Sequence, residues 1–445
     1  MLDFLVRNKL ILIIFVIWYA VGSVSPMLFY PLGGITVLLL WRKAMYFEIF
    51  LGFFFTLILS DNLKYTTDFA NTFKNGYILL LAVIAILDRK NFPVQSKILP
   101  YFLPFLLVSV IGMFYSPQIF VSFQKTLSYG LLLFVVPQFF VNSFNNRGPD
   151  AVKDLIFFAV AMILLGFVLR YISPNLVYSH GGRFRGVFGN PNGLGIFGIL
   201  IFAFALISRE YFKALFSKAD IRWIFIPIGI ALILSGSRSA IIAVMLFFLF
   251  SRFYRFSPFL GLILFLGIAV AAQLLSRNLI EIVNTLGVSE YFRVDTLEDG
   301  SGRYIAWNFA WEAIQDYLWF GRGFSFDEWL MKKNQDFLND LGHQGGVHNT
   351  YLIIWLNTGL VGLIMFLRGF LVLVIKGAKN ATMAFPLLWM VFFSITLEPW
   401  LAASLNPFTL LFLMSLSMLT HPIFQPYLRG EISSTQKPNE VPILA

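Results

Sequence analysis

The sequence has little charge and no cysteine. Only 13% of its 445 residues are charged, against about 25% in soluble domains, and 58% are apolar. So little charge excludes an ordinary soluble domain and indicates a polytopic membrane protein. The absence of cysteine excludes disulfide frameworks, cysteine-ligated zinc and a thiol nucleophile.

The positive charge of the chain is informative once the membrane is considered. A net charge of +10 can indicate nucleic-acid binding. In a membrane protein, however, an excess of Lys and Arg is typical of cytoplasmic connections. We therefore expect membrane lipids around the chain and no nucleic-acid partner. The 52 Phe residues suit lipid-facing helices, with Tyr and Trp in interfacial belts.

Long apolar runs predict an all-α polytopic helical bundle. A span needs about 20 apolar residues, with shorter ones tolerated, so we expect 12 to 14 transmembrane helices, depending on whether short neighbours fuse. The candidate spans are 9–23, 27–40, 45–60, 74–88, 98–115, 121–141, 154–172, 191–207, 222–236, 237–251, 258–275, 349–375, 383–397 and 402–420.

The distribution of Lys and Arg predicts how the chain is oriented. One set of alternate connections holds the larger share of these residues, so that set and both termini are expected in the cytoplasm. The predicted division is an N-terminal transmembrane bundle (1–275), a large periplasmic loop containing short helices (276–348), C-terminal transmembrane helices (349–420) and a loose cytoplasmic tail (421–445).

Positive charge on the other side of the membrane requires a reason, and its first site is the loop around Arg183 and Arg185. Glycines there let the backbone fold tightly, and Asn190-Pro191-Asn192 predicts a capped helix start. A helix N-terminus beside two arginines suits a phosphate group. The alternative is a loop whose arginines bind lipid head groups.

The second site is Arg238, at a junction of small residues between two short apolar runs. An unpaired charge in the bilayer costs several kcal/mol, so its guanidinium must face water, a head group or an anionic partner. The alternative is snorkelling to the outer head groups.

The third site is the polar stretch that precedes the last spans. The spacing of apolar residues predicts an amphipathic helix over 303–314, and a second polar helix is expected over 327–341. The stretch ends at His348, just before a span. A histidine there titrates near neutrality and is a candidate general base or hydroxyl-orienting group. Three arginine sites and a histidine on one membrane face indicate chemistry on a diphosphate.

These residues occur in an order that resembles the O-antigen ligase and O-antigen polymerase superfamily. The resemblance is strongest from Gly182 to about Gly362. In chain order, the motifs that carry it are Arg183-x-x-Gly186 with Gly189-Asn190-Pro191-Asn192, Ser237-Arg238-Ser239, Ser301-Gly302-Arg303 with Trp307, Gly321-x-Gly323, and His348-Asn349 before an apolar helix.

The resemblance implies a GT-C-like glycosyltransferase of the bacterial inner membrane that acts on its periplasmic face. The donor would be a glycan on undecaprenyl diphosphate. The acceptor would be lipid A core for a ligase, which we favour, or a lipid-linked glycan for a polymerase. The reaction would be inverting, without metal or cofactor.

The resemblance also assigns roles to individual residues. Arg183 and Arg238 would hold the diphosphate, and His348 would activate or orient the acceptor hydroxyl. The further substrate-binding candidates are Arg185, Asn192, Arg303, Arg322 and Asn349. Because Arg185 stands beside Arg183, either could make the diphosphate contact.

Three alternatives are open at the level of sequence. Asp295, Glu298 and Asp299 could ligate a divalent cation, although acidic loop residues are usually just solvated. Glu398 could be an acceptor-side carboxylate or part of an interfacial turn. A flippase or transporter for lipid-linked sugar is a further reading, but the charged residues of the spans lie near span ends rather than at the midplane.

Overall fold

The computed structural model describes residues 1–62, 65–179, 182–253, 303–343, 345–433 and 436–438, together with Ile263 and Gly267. In this part of the chain the regular structure is helical, apart from one hairpin of two short strands. The predicted all-α class is therefore confirmed.

The described residues form nineteen α-helices, with short 3-10 turns at Tyr65–Thr67, Arg89–Asn91 and Pro422–Phe424. The helices are α1 (Leu2–Arg7), α2 (Lys9–Val24), α3 (Pro26–Arg42), α4 (Tyr46–Asp61), α5 (Asp68–Leu87), α6 (Leu99–Met113), α7 (Ile119–Arg147), α8 (Pro149–Ile172), α9 (Pro174–Val177), α10 (Pro191–Tyr211), α11 (Lys218–Ser235), α12 (Arg238–Phe253), α13 (Arg303–Asp316), α14 (Phe326–Lys333), α15 (Gln335–Asp340), α16 (Thr350–Ala378), α17 (Ala384–Leu397), α18 (Pro407–Thr420) and α19 (Gln425–Arg429). The strands are β1 (Tyr178–Ser179) and β2 (Arg183–Phe184).

Five of the described helices, α5, α7, α8, α10 and α16, are long and apolar enough to cross a membrane. A sixth candidate is α18 taken together with the helical turn after it, a pair bent by 68°. The shorter apolar helices α2, α3, α6 and α17 coincide with predicted spans. The polytopic membrane character is therefore confirmed, while the total of 12 to 14 spans stays a prediction. Apart from Ile263 and Gly267, the predicted span 258–275 and the start of the large loop lie outside the described residues.

Three helices begin at the same local signal, an asparagine cap. The side chains of Asn190, Asn349 and Asn406 each accept a hydrogen bond from the amide three residues later, at 2.7 to 3.1 Å. Pro191 and Pro407 then occupy the first helical position, where a missing N–H costs nothing. The residues just before α10, α16 and α18 therefore determine where these helices begin.

Contacts divide the chain into two compact units. Unit 1 comprises residues 1–100, 128–240 and 404–445, and unit 2 comprises residues 101–127 and 241–403. The division predicted from the sequence, at residues 275, 348 and 420, concerns position relative to the membrane and stays a prediction.

Unit 1 is built around helices that are buried on all sides. Every residue of α4 from Tyr46 to Ser60 is buried, and α18 packs against both α4 and α10. Phenylalanine rings fill the space between them: the Phe54 ring centroid lies 5.4 Å from that of Phe158 and 6.2 Å from that of Phe197. Phenylalanine therefore builds the core of this unit as well as lipid-facing surface.

One end of unit 1 collects the charges of connections predicted to be cytoplasmic. Lys153 and the N-terminal amine of the chain lie 2.8 and 3.8 Å from carboxylate oxygens of Asp220. Arg7 pairs with the buried Asp154 at 2.6 Å. The β1–β2 hairpin follows the far end of α8, which is about 36 Å long. Connections predicted to share a side thus do cluster.

The start of the tail is packed rather than loose, so that expectation is wrong for residues 422–429. Phe424 and Tyr427 are buried, and their rings contact Phe144 with centroids 4.3 and 5.4 Å apart. Burial of these rings outweighs the polar, proline-containing composition that suggested a loose segment.

The main feature of unit 2 is a break in α16 at Gly359, where φ is 71° and ψ is 179°. A break frees backbone groups that must find partners away from water. They find them in the segment between α13 and α14, through four bonds of 2.7 to 3.2 Å. Donor first, these bonds are Leu360 to Leu318, Val361 to Trp319, Arg322 to Leu356, and Gly323 to Asn357.

Glycines are required where this segment meets α16. A Cβ on Gly359 would lie 2.1 Å from the Trp319 carbonyl oxygen, and one on Gly321 would lie 2.5 Å from the Asn357 carbonyl carbon. The Gly321-x-Gly323 motif therefore has a packing reason: it permits two backbones to approach closely.

A side-chain pair reinforces the junction. The Asn357 amide donates to the Asp327 carboxylate at 2.9 Å, and the Asp327 backbone N–H donates to the Asn357 side-chain oxygen at 3.2 Å. Burial and the neighbouring Glu328 raise the pKa of Asp327 to about 6. The start of α14 is thus bonded to α16 beside the break.

We predict that Gly359→Ala lowers the apparent melting temperature of the purified protein by about 5 °C or more. Alanine is strained at this positive φ and collides with the Trp319 carbonyl. The matched control is Gly76→Ala in α5, where a Cβ meets nothing within 4 Å. That variant should melt at the wild-type temperature or slightly above it, because alanine favours helix. Equal melting temperatures for the two variants would contradict this account of the break.

Candidate active site

The β1–β2 hairpin of unit 1 carries both arginines of the first predicted site, and Arg185 turns inward. Its side chain is 5% exposed. The guanidinium donates to the Leu176 carbonyl at 2.9 and 3.2 Å and to the Gly189 carbonyl at 2.9 Å. Because all three of its nitrogens bond to backbone oxygens, Arg185 stabilises the loop.

Arg183 is more exposed and links two helix ends. Its Nε donates to the carbonyl of Ser235, the last residue of α11, at 2.9 Å. A terminal nitrogen donates to the side-chain oxygen of Asn192, in the first turn of α10, at 2.9 Å. A cation at a helix C-terminus is electrostatically favourable. The predicted residues Arg183 and Asn192 are thus in direct contact.

Arg238 begins α12 immediately after this contact. Gly236 ends α11 in the left-handed conformation, at φ 53°. Gly195 of α10 admits the turn closely, since a Cβ there would lie 2.8 Å from the Ser237 Cβ. The half-buried Arg238 therefore follows a turn packed against α10. Unit 1 brings both predicted arginine sites and Asn192 into one region.

In unit 2, His348 is held from both sides at the entrance to α16. The Trp307 indole donates to the Val347 carbonyl at 2.9 Å, and Asn349 caps α16 through its 3.1 Å bond to the Leu352 amide. His348 itself has φ 52°, which is rare for a residue other than glycine. Such backbone persists only where the surroundings enforce it, and it is enriched at functional sites.

Arg303 is paired with Glu398 beside this histidine. A terminal nitrogen of Arg303 lies 3.0 Å from the Glu398 carboxylate, which is 5% exposed. The Glu398 carbonyl also accepts from the Thr350 hydroxyl at 2.9 Å. From the sequence, Glu398 could be an acceptor-side carboxylate or part of an interfacial turn. The structure shows that it is the buried ion-pair partner of Arg303. A buried pair of this kind fixes the orientation of the guanidinium.

His348 is neutral at physiological pH. Burial, the charge of Arg303 and the neighbouring His343 together lower the pKa of His348 to about 4. The two imidazole rings lie 6.3 Å apart, centroid to centroid. A neutral imidazole can accept a hydrogen bond or a proton from a hydroxyl group.

Arg322 lies away from the entrance to α16. Its guanidinium donates to the Tyr115 carbonyl at 3.1 Å and to the Tyr317 hydroxyl at 3.2 Å, and it stacks 4.7 Å above the Tyr317 ring centroid. Its backbone meets Leu356, roughly 9 Å along α16 from the helix start. These contacts hold the segment that closes the break, and the predicted substrate contact of Arg322 stays a prediction.

Some residues that matter here carried only weak sequence signals. Asn357 is a polar residue inside a predicted span, which is typical of a structural or functional role, and Gly359 follows it two positions later. Gln335 and Asn339 of α15 resemble any polar residues of a surface helix. The proposed cation ligands Asp295, Glu298 and Asp299 lie outside the described residues.

The chain matches a known protein family over a range that includes residues of both units. A family model described as O-antigen ligase matches residues 223–367. Over these residues the chain is similar to the O-antigen ligase family. The resemblance seen in the motifs is therefore confirmed, and the matched family implies a glycosyltransferase-like enzyme. No curated protein matches the chain.

The range that matches the O-antigen ligase family contains most of the candidate residues predicted from the sequence. It includes Arg238, Arg303, Arg322, His348 and Asn349. The hairpin with its two arginines precedes the match. That hairpin is connected to the domain by the contact of Arg183 with Ser235, which lies inside the matched range.

We predict that the pKa of His348 is near 4 in the folded protein and that Arg303→Met raises it toward 6.5. Removing the guanidinium removes the charge that disfavours the imidazolium. Since the chain contains four histidines, NMR of histidine-labelled protein can follow each one, and His348→Gln assigns the signal. Arg322→Met is the matched control and should leave the titration unchanged. A wild-type value near 6.5 would contradict this view of the site.

Proposed function

We propose that this protein is a glycosyltransferase of the bacterial inner membrane that moves a glycan from undecaprenyl diphosphate to an acceptor sugar on the periplasmic face. The acceptor is lipid A core, so that the enzyme is an O-antigen ligase. Both termini lie in the cytoplasm. The observation that carries the proposal is the neutral, firmly held His348 beside Arg303, inside an O-antigen ligase family domain.

The arginines of unit 1 supply the donor side of the reaction. Transfer expels a diphosphate, whose negative charge develops in the transition state, and guanidinium forks stabilise such charge without a metal ion. Of the two hairpin arginines, Arg183 is the one we assign to the diphosphate. Arg185 is buried and bonded to Leu176 and Gly189 within its own loop. Arg238 acts together with Arg183, and Asn192 orients Arg183.

His348 supplies the acceptor side. The acceptor hydroxyl oxygen attacks the anomeric carbon, the bond from that carbon to the diphosphate oxygen breaks, and its electron pair leaves with the diphosphate. The hydroxyl proton passes to the neutral imidazole. Because attack and departure take place on opposite faces of the ring, the anomeric centre is inverted. A diphosphate is a good leaving group, so no strong general acid is required.

Bound substrate reconciles the low pKa of His348 with its role as the group that accepts the hydroxyl proton. An imidazole of pKa about 4 is a weak base, but it is fully available as a hydrogen-bond acceptor at pH 7. An anionic substrate nearby favours the imidazolium and raises the pKa toward the working range. Arg303 favours the neutral imidazole through its charge, and Asn349 fixes the adjoining backbone by capping α16.

We predict that His348→Ala and Arg238→Ala each reduce glycan transfer by about 100-fold or more at normal protein level, because each removes a group that acts in the transition state. The measurement is the amount of long-chain glycan on lipid A in a complemented deletion strain. The matched controls are His421→Ala and Arg42→Ala, at the predicted cytoplasmic ends of α18 and α3, and both should transfer normally. Normal transfer by either site variant removes that residue from the mechanism.

A further inference from the structure

Unit 2 contains a polar cleft that the proposed mechanism does not use. It has a volume of about 270 Å³ and lies between α14, α15 and the segment that leads to His348. Its polar lining residues are Glu328, Lys332, Gln335, Asn339 and His343, and its rim includes Gly345 and Gly346. We call this cavity, with its lining residues, the polar cleft.

The chemistry of the polar cleft suits hydroxyl groups. Gln335 and Asn339 present side-chain amides, each of which both donates and accepts hydrogen bonds. Both side chains are exposed, and in the described part of the chain neither is bonded to another residue. The floor is apolar, because Met331 and Leu338 are buried beneath them. Amides above an apolar floor match a sugar ring, which has hydroxyls at its edge and C–H groups on its faces.

The charges of the polar cleft do not suit a diphosphate. Glu328 and Lys332 carry opposite charges on the same helix. The Glu328 carboxylate is held in place by Lys125 at 2.6 Å and by the Ser325 hydroxyl at 3.0 Å. The charges of the lining therefore balance and provide no excess of positive charge for a polyanion, whereas the carboxylate can accept bonds from sugar hydroxyls.

The polar cleft ends beside the proposed base. A Cβ built on Gly345, at its rim, would lie 3.1 Å from His348 Nε2. The chain that leads to His348 is bonded to α15, because the His343 backbone N–H donates to the Leu338 carbonyl at 2.8 Å. The His343 imidazole also lies 3.2 Å from the Gly346 carbonyl oxygen. A sugar in the polar cleft would therefore have its neighbouring residue next to the imidazole.

We infer that the polar cleft binds a neutral or weakly charged sugar of the acceptor glycan, one residue away from the sugar that presents the reacting hydroxyl. This inference rests on the proposed function, because it uses His348 as the group that meets the acceptor. The volume lies just below the usual range of small-molecule sites, roughly 300–1,000 Å³, and therefore suits a single ring rather than a long glycan.

The absence of cysteine from the chain allows a direct test by single-site labelling. In Asn339→Cys, a bulky maleimide would fill the polar cleft. In the control Asp336→Cys, the same reagent would attach to an exposed position of α15 outside the lining. We expect labelling to reduce transfer by about tenfold or more in the first variant and to leave the second unchanged. Full transfer by labelled Asn339→Cys would overturn the inference.

Protection from labelling tests sugar binding without any need for transfer. The probes are the core oligosaccharide released from lipid A by mild acid and the repeat glycan released from undecaprenyl diphosphate. We expect at least one of them to slow labelling of Asn339→Cys and neither to slow labelling of Asp336→Cys. If neither protects, the polar cleft is not a sugar site. Protection without transfer by the wild-type protein would instead reject the proposed function while keeping the sugar site.

Kinetics identify which substrate the polar cleft serves. Gln335→Ala should raise KM for the acceptor by about five- to tenfold, the loss of one or two hydrogen bonds, and leave KM for the lipid-linked donor unchanged. Gln315→Ala, an exposed glutamine of α13 that is not part of the lining, is the matched control. A change in KM for the donor alone would overturn the assignment to the acceptor.

Discussion

A membrane helix cannot leave its backbone amides unpaired. Unit 2 is organised around a place where α16 cannot pair all of its own backbone groups and needs a second segment to do so. At Gly359 the helix breaks, and the segment from Leu318 to Gly323 supplies the missing partners. This exchange fastens α13 and α14 to a membrane helix. His348 lies at the start of the same helix, so the break and the proposed base belong to one bonded arrangement.

Much of the fold follows from local rules, and much of the site does not. The starts of α10 and α16 were predictable because Asn190 and Asn349 cap them through neighbours three residues away. The Arg303–Glu398 pair joins residues 95 positions apart, and neither residue carries a signal for the other. The sequence therefore predicts where these helices start and that His348 lies just before one of them. It cannot predict which charges surround that histidine.

The electrostatics assign different work to arginine and histidine. Arg303, oriented by the buried Glu398, lies close enough to His348 to favour its neutral form. In the proposed mechanism the positive charge for the diphosphate comes from guanidinium groups, which stay protonated at any physiological pH. Between the two hairpin arginines, burial decides the role: Arg185 holds the loop through backbone carbonyls, while the more exposed Arg183 contacts Asn192. A sequence pattern alone treats them as equivalent.

The proposed reaction breaks the bond between glycan and lipid diphosphate. The most direct measurement uses the purified protein in vesicles with a lipid-linked glycan and lipid A core, and counts undecaprenyl diphosphate released per glycan transferred. We expect one molecule released for each glycan that becomes attached to lipid A core. Glycan attached instead to a second lipid-linked repeat would identify a polymerase. Movement of the intact glycolipid across the bilayer without release of undecaprenyl diphosphate would contradict the account.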